Sequence, residues 1–172
     1  MTQHETPGDR ASASVLVRVP QTEAFRLFTE EIDVWWRPGL RYRLGKRRSV
    51  VHLEAKLGGR LFEAFDTAGG SRKIVETGRV THFEPPARLV LEWRAVNFAA
   101  DERTEVEVLF ESTDRGTLVT VHHRGWSRIR ADHPVRHGAD APKFLARMGL
   151  WWAGLLTSLR ELAETSTGAA PP

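Results

Sequence analysis

From Ser14 to Val19 apolar and polar positions alternate, with Val15, Val17 and Val19 on one side and Ser14, Leu16 and Arg18 on the other, until Pro20 stops the run. This predicts a strand. The period then lengthens: Phe25, Leu27, Phe28, Ile32, Trp35 and Trp36 recur at helical spacing, predicting one or two short helices that end before Arg37-Pro38-Gly39. Strand-like segments follow at Ser49 to Leu57, Arg60 to Asp66, Lys73 to Phe83, Arg88 to Ala95, Glu105 to Glu111 and Thr117 to Arg124. Gly58-Gly59 and Asp114-Arg115-Gly116 read as tight hairpin turns, and Pro85-Pro86 breaks a ladder, so neighbouring strands should pair antiparallel. The strongest helix signal comes last, from about Ala141 to Glu164, with Asp140 at the N-cap and Pro142 in the first turn. Its apolar stripe includes Phe144, Met148, Trp151, Trp152, Leu155 and Leu159.

This order dictates an α+β architecture. Seven antiparallel strands present one apolar face, and only the terminal helix, about 36 Å long at about 1.5 Å per residue, can cover it. A curved sheet gripping one helix is the expected packing, with an apolar hollow where sheet and cylinder part. No stretch reads as a linker and no period repeats, which predicts a single folded unit over 13–164, with 1–12 and 165–172 as small, polar, fraying tails.

The chain has 172 residues, a length that supports a real core, and no Cys, which excludes a disulfide framework, a thiolate metal site and a cysteine nucleophile. No apolar run approaches the roughly 18 residues of a membrane span and no signal pattern opens the chain, so a soluble, cytoplasmic protein without membrane contact is expected. The formal charge is +3, and the basic residues are 21 Arg and four Lys. That excess lifts the pI to 9.8 without a strong field. Six of the basic residues (Arg37, Arg41, Arg43, Lys46, Arg47, Arg48) fall in the stretch 37–48, which lacks the interleaved aromatics of a base-stacking surface. A solvated loop at a cavity mouth fits better than a nucleic-acid contact.

Several pieces taken in order resemble the SRPBCC (START and polyketide cyclase-like) superfamily: Phe25-Arg26-Leu27-Phe28 with Val34-Trp35-Trp36, Gly58-Gly59-Arg60, Gly78-Arg79-Val80, Phe83-Glu84-Pro85-Pro86, Arg88 to Trp93, and His123-Arg124-Gly125-Trp126. Within it they are most similar to homologues of the heat-shock protein 90 ATPase activator's C-terminal domain. The resemblance implies a helix-grip fold: a curved seven-stranded sheet around a long C-terminal helix, with two short helices after the first strand. Carriers, sensors, enzymes and co-chaperone modules share that scaffold, so it implies little about activity. The stretches 37–48 and 127–140 depart from the pattern.

Alternation turns three polar side chains inward, where each needs a partner: Glu63, beside Leu61 and Phe65; His123, beside Val119 and Val121; and His82, beside Val80 unless a bulge intervenes. Glu63 and His123 would give a ligand polar handles, or form an acid/base pair; the competing reading is that they satisfy each other in an ordinary core. Trp36, Trp93, Trp151 and Trp152, with Phe144 and Met148, would converge between sheet and helix and wall a site for a flat or greasy molecule, or simply pack. His133 and His137 have a shareable spacing, but Pro134 intervenes and no third ligand is in view, so no metal is expected. No nucleophile elbow or phosphate- or dinucleotide-binding glycine pattern occurs, so no catalytic residue and no cofactor is assigned. The leading expectation is a binding domain for an apolar or aromatic small molecule, contacted by Trp36, Glu63, Phe65, His82, Trp93, His123, Phe144, Met148, Trp151 and Trp152. The alternatives are a cyclase- or hydrolase-like enzyme acting on a polyketide-type substrate with His123 or Glu63 as base, and a co-chaperone-like module that contacts a chaperone and stimulates its ATPase.

Overall fold

The computed structural model describes residues 9–36 and 49–168. The elements are β1 (Arg10–Val17), α1 (Gln21–Glu30), α2 (Ile32–Trp35), β2 (Ser49–Leu53), β3 (Arg60–Asp66), β4 (Arg72–Glu84), β5 (Arg88–Trp93), β6 (Thr104–Thr113), β7 (Gly116–Arg124) and α3 (Ala141–Gly168). Two single 3-10 turns, Trp126–Arg128 and Pro134–Arg136, lie between β7 and α3. The strands form one antiparallel sheet in the order β1-β7-β6-β5-β4-β3-β2, curled into a half-barrel around α3. This is the helix-grip arrangement the sequence pattern predicts.

Local chemistry sets the boundaries. Strand β1 starts at Arg10, ahead of the alternating run, because Ala11 and Ala13 are too small to signal a buried face yet pair with His123 and Val121 of β7. Strand β2 stops at Leu53, short of the predicted Leu57, because the Glu54 carboxylate turns back to accept the Arg60 backbone N–H at 2.9 Å and to pair with its guanidinium at 2.8 Å. Gly59 is fixed by the same turn: a Cβ there would stand 1.9 Å from the Glu54 carbonyl oxygen. At the start of α3, Asp140 caps as expected, its Oδ1 accepting the Lys143 N–H at 3.0 Å. The helix runs past Glu164 to Gly168, where Thr165, Ser166 and Thr167 hydroxyls donate to carbonyls one turn back.

Strand β4 carries two irregularities that bend the sheet. Leu61 pairs with Gly78 but Phe62 with Glu76, leaving Thr77 as an extra residue; Val80 pairs with Leu91 but His82 with Val90, leaving Thr81. Each such insertion kinks a strand and raises its twist. The concave face they help to form buries Val17, Val121, Val108, Leu91, Val80 and Leu61 in one cluster with Trp152, Leu155 and Leu159 of α3, and Phe25 and Phe28 of α1 pack into it against Phe110 of β6.

Candidate functional site

The apolar hollow expected between sheet and helix is, among the described residues, largely occupied by indole rings. Trp36 sits at the end of α2 with its ring centroid 5.8 Å from those of Trp93, Trp151 and Trp152 alike. Trp151 and Trp152 are neighbours on α3 at 5.0 Å, and Trp93, the last residue of β5, is 6.3 Å from Trp152. Edge-to-face and tilted ring pairs at these separations are favourable packing, so four large side chains converging on one place fill it.

His123 belongs to that packing. Its side chain is buried on β7, where its Nδ1 accepts the Trp152 indole N–H at 3.1 Å. Nδ1 therefore carries no proton, and the Nε2–H donates to Thr104 Oγ1 at 2.7 Å; that hydroxyl donates on to the Trp93 carbonyl at 3.4 Å. Desolvation by burial pushes the imidazole pKa down to about 3. The ring is neutral, doubly satisfied and tied to β6 and α3, an arrangement that joins sheet to helix.

A pocket remains on the β2–β4 side, lined by Trp36, Val51, Leu61, Phe62, Glu63, Thr77 and Trp93. Its cavity is about 20 Å³, room for about one water-sized group. Glu63 is 3% exposed and is the one charged side chain among those lining residues. The bulge places Thr77 in the wall, with its hydroxyl donating at 3.5 Å to the Leu61 carbonyl.

Of the sequence-derived site residues, the structure thus brings Trp36, Glu63 and Trp93 together on the pocket, with Trp151 and Trp152 behind Trp36. Phe65 is half-buried further along β3, opposite Ser49 and Lys73. The face expected for His82 is corrected: the extra residue Thr81 turns it to the outer face, opposite Val90, where it pairs with Glu84 at 3.1 Å. Phe144 lies in a second cluster with Phe98, Trp126 and Ile129, and Met148 packs against both clusters. The basic stretch 37–48 lies outside the described residues.

Sequence reasoning passed over Thr77, Val51, Leu61 and Phe62 as pocket lining, and Thr104 as the partner of His123. Leu61 is on the face already read for Glu63, whereas Thr77 enters only through the bulge. The second cluster is likewise unmarked in the pattern of the chain. It buries His133, whose Nδ1 accepts the Val135 N–H and whose Nε2 donates to the Asn97 carbonyl, both at 3.1 Å. Arg136 donates to the Trp126 and Ile129 carbonyls at 2.7 and 2.8 Å, with its guanidinium over the Phe144 ring. The Trp126 indole N–H and the Arg136 Nε–H are buried without a hydrogen-bond partner among the described residues. Among the described residues no three His, Cys, Asp or Glu side chains converge as metal ligands, and no helix is long and apolar enough to cross a membrane.

A half-barrel sheet gripping a C-terminal helix, with a small pocket beneath the indoles, defines a helix-grip domain of the SRPBCC kind. The family model described as "Activator of Hsp90 ATPase homolog 1-like protein" matches residues 18–164, and the chain belongs to that family. No curated protein matches it. Among solved structures, a protein from Nitrosomonas europaea is similar at 16% identity and a TM-score of 0.61, over 95% of this chain and 99% of that one. A Staphylococcus aureus protein of unknown function is similar at 13% identity and a TM-score of 0.65, over 92% of this chain and 95% of that one. At these identities the likeness carries the fold alone.

Proposed function

We propose that the domain is a small-molecule binding module whose ligand enters the pocket bounded by Trp36, Glu63 and Trp93. The observation that carries this reading is a buried carboxyl group in the wall of a partly apolar cavity that Trp36 and Trp93 also line. Pockets that hold small molecules are lined by apolar and aromatic side chains with a few polar groups that fix orientation. Proteins of this fold commonly bind small hydrophobic ligands. The cavity is too small to enclose a lipid chain or an aromatic ring, so an apolar or aromatic ligand would place one small group inside and keep the rest outside it. Native mass spectrometry of protein purified from its own host is expected to show a bound small molecule. A fragment titration should perturb the Trp36 and Trp93 indole signals in NMR spectra. No bound mass, and no perturbation by any apolar or aromatic fragment, would overturn the reading.

The family description favours a second reading, a module contacting a chaperone ATPase. Co-purification with the host chaperone and stimulation of its ATPase would support it; absence of both would remove it. General-base chemistry at His123 finds no support: both ring nitrogens are engaged inside the core, and the residue does not line the pocket.

A further inference from the structure

One side of α3 is gripped by the sheet; the other is uncovered among the described residues. On that outer side Lys143, Arg147, Leu150, Gly154, Glu161 and Glu164 are exposed and Thr157 is half-buried. Their spacing alternates between four and three residues, which keeps them on one line along the helix, about 32 Å long at about 1.5 Å per residue. Leu150, at 76% exposure, is the most exposed large apolar side chain among the described residues. Ala146 and Ala153 beside it are exposed, and an added Cβ at Gly154 would meet nothing within 4 Å, so nothing bulky holds a neighbour away from the helix there. The charges on the line are sorted. Both cations precede Leu150 and both anions follow Thr157, at matching distances from Gly154. Arg147, Glu161 and Glu164 form no ion pair among the described residues, and Lys143 reaches only Asp140, at 3.9 Å. We propose that this face docks against the same face of a second copy of the chain, antiparallel about a two-fold axis near Gly154. Such an axis sets Lys143 opposite the partner subunit's Glu164 and Arg147 opposite the partner subunit's Glu161, and symmetry makes each pair twice. Leu150 then lies beside the partner subunit's Ala153 and Thr157, whereas a parallel pairing would set like charges together along the whole line. Arg160 stands about 100° around the helix from Glu161, off this line. A single helix face offers less than the roughly 800 Å² per partner of a standard interface, so the association should be weak, concentration-dependent and weakened by salt.

The test is sedimentation velocity of the full chain from about 10 μM to about 1 mM, at low salt and at about 0.5 M salt. The wild type is expected to move from monomer toward dimer as concentration rises, and back toward monomer in high salt. Arg147→Glu and Glu161→Arg should each weaken dimerisation about tenfold, because each sets like charges opposite one another twice. An equimolar mixture of the two variants should dimerise at least as well as the wild type, since each then meets the opposite charge on the other. Both positions are exposed, so neither variant should lose the monomer's fold, and thermal melts at low concentration check this. A wild type that stays monomeric up to about 1 mM would overturn the proposal. So would a dimer that neither substitution weakens, or one that the mixture does not restore, since its interface would then lie on another face or be held by another pairing. The wild-type series decides whether the chain pairs at all even if a variant fails to fold, and neither result bears on the pocket.

Discussion

At the scale of single residues, two buried tryptophans separate a used hydrogen bond from an unused one. The Trp152 N–H serves His123, so Trp152→Phe leaves a buried imidazole nitrogen without a donor and should lower unfolding free energy by about 1–3 kcal/mol. The Trp126 N–H meets no acceptor among the described residues, so Trp126→Phe, with its smaller ring, should lose packing but no hydrogen bond; urea denaturation of both variants compares them. If Trp152→Phe proves no more destabilising than Trp126→Phe, the hub role of His123 fails. Acid is the second lever. The His123 pKa falls from 6.5 when exposed to about 3 when folded, so the unfolded chain binds the extra proton first as pH drops. Its contribution to stability is complete above about pH 6.5 and declines by about 1.4 kcal/mol per pH unit down to about pH 3. Melting curves across that window should show a shallower decline in His123→Gln than in the wild type. The alternation of β7 makes the inward direction of His123 legible in the sequence. Its partners are not legible, because Thr104 and Trp152 reach it from a different strand and from the helix, a juxtaposition made only by folding.

At the scale of elements, the interior of α3 contains two glycines, Gly149 and Gly154, that the sequence presents alike and the packing does not. Gly149 faces β1, where an added Cβ would stand 3.4 Å from the Ser12 carbonyl oxygen, so the helix approaches the edge strand closely there. Gly154 is exposed, and an added Cβ would have nothing within 4 Å. Gly154→Ala should therefore stabilise the protein by up to about 1 kcal/mol, the full helix-propensity difference, and Gly149→Ala by less. Thermal melts of both variants check the order, and a larger gain at Gly149 would contradict the close approach. Strand β4 shows where the period-two pattern stops being informative. Turn residues and alternation locate the strand to within one residue at each end, but an inserted residue leaves no mark in a run of Arg, Lys, Thr, Val and Glu. Each insertion shifts the alternation by one residue and the second cancels the first, which is why Thr77, the first inserted residue, stands in the pocket wall and His82, just past the second, leaves the concave side on which Val80 lies.

At the scale of the whole molecule, the fold provides a hollow between sheet and helix and the tryptophans decide how much of it is open. The sheet curls and the helix crosses it as the pattern of the chain requires, yet ring packing, a property of side chains meeting from α2, β5 and α3, reduces the hollow to a cavity of about 20 Å³. Trp36 is the ring that touches most of the others, with Trp35 at 5.4 Å besides Trp93, Trp151 and Trp152, and it is 4% exposed. Trp36→Ala should destabilise the protein by about 3–5 kcal/mol through lost burial and the space left behind. Because that space is walled by three rigid indoles, it should stay open and take up free indole, as an engineered apolar cavity takes up benzene. Indole at 100 times its dissociation constant would then return about 2.7 kcal/mol of the lost stability to the variant and nothing comparable to the wild type. A folded Trp36→Ala protein whose melting temperature ignores indole would mean that Trp93, Trp151 and Trp152 collapse inward, and that the helix, rather than the rings, sets the width of the grip.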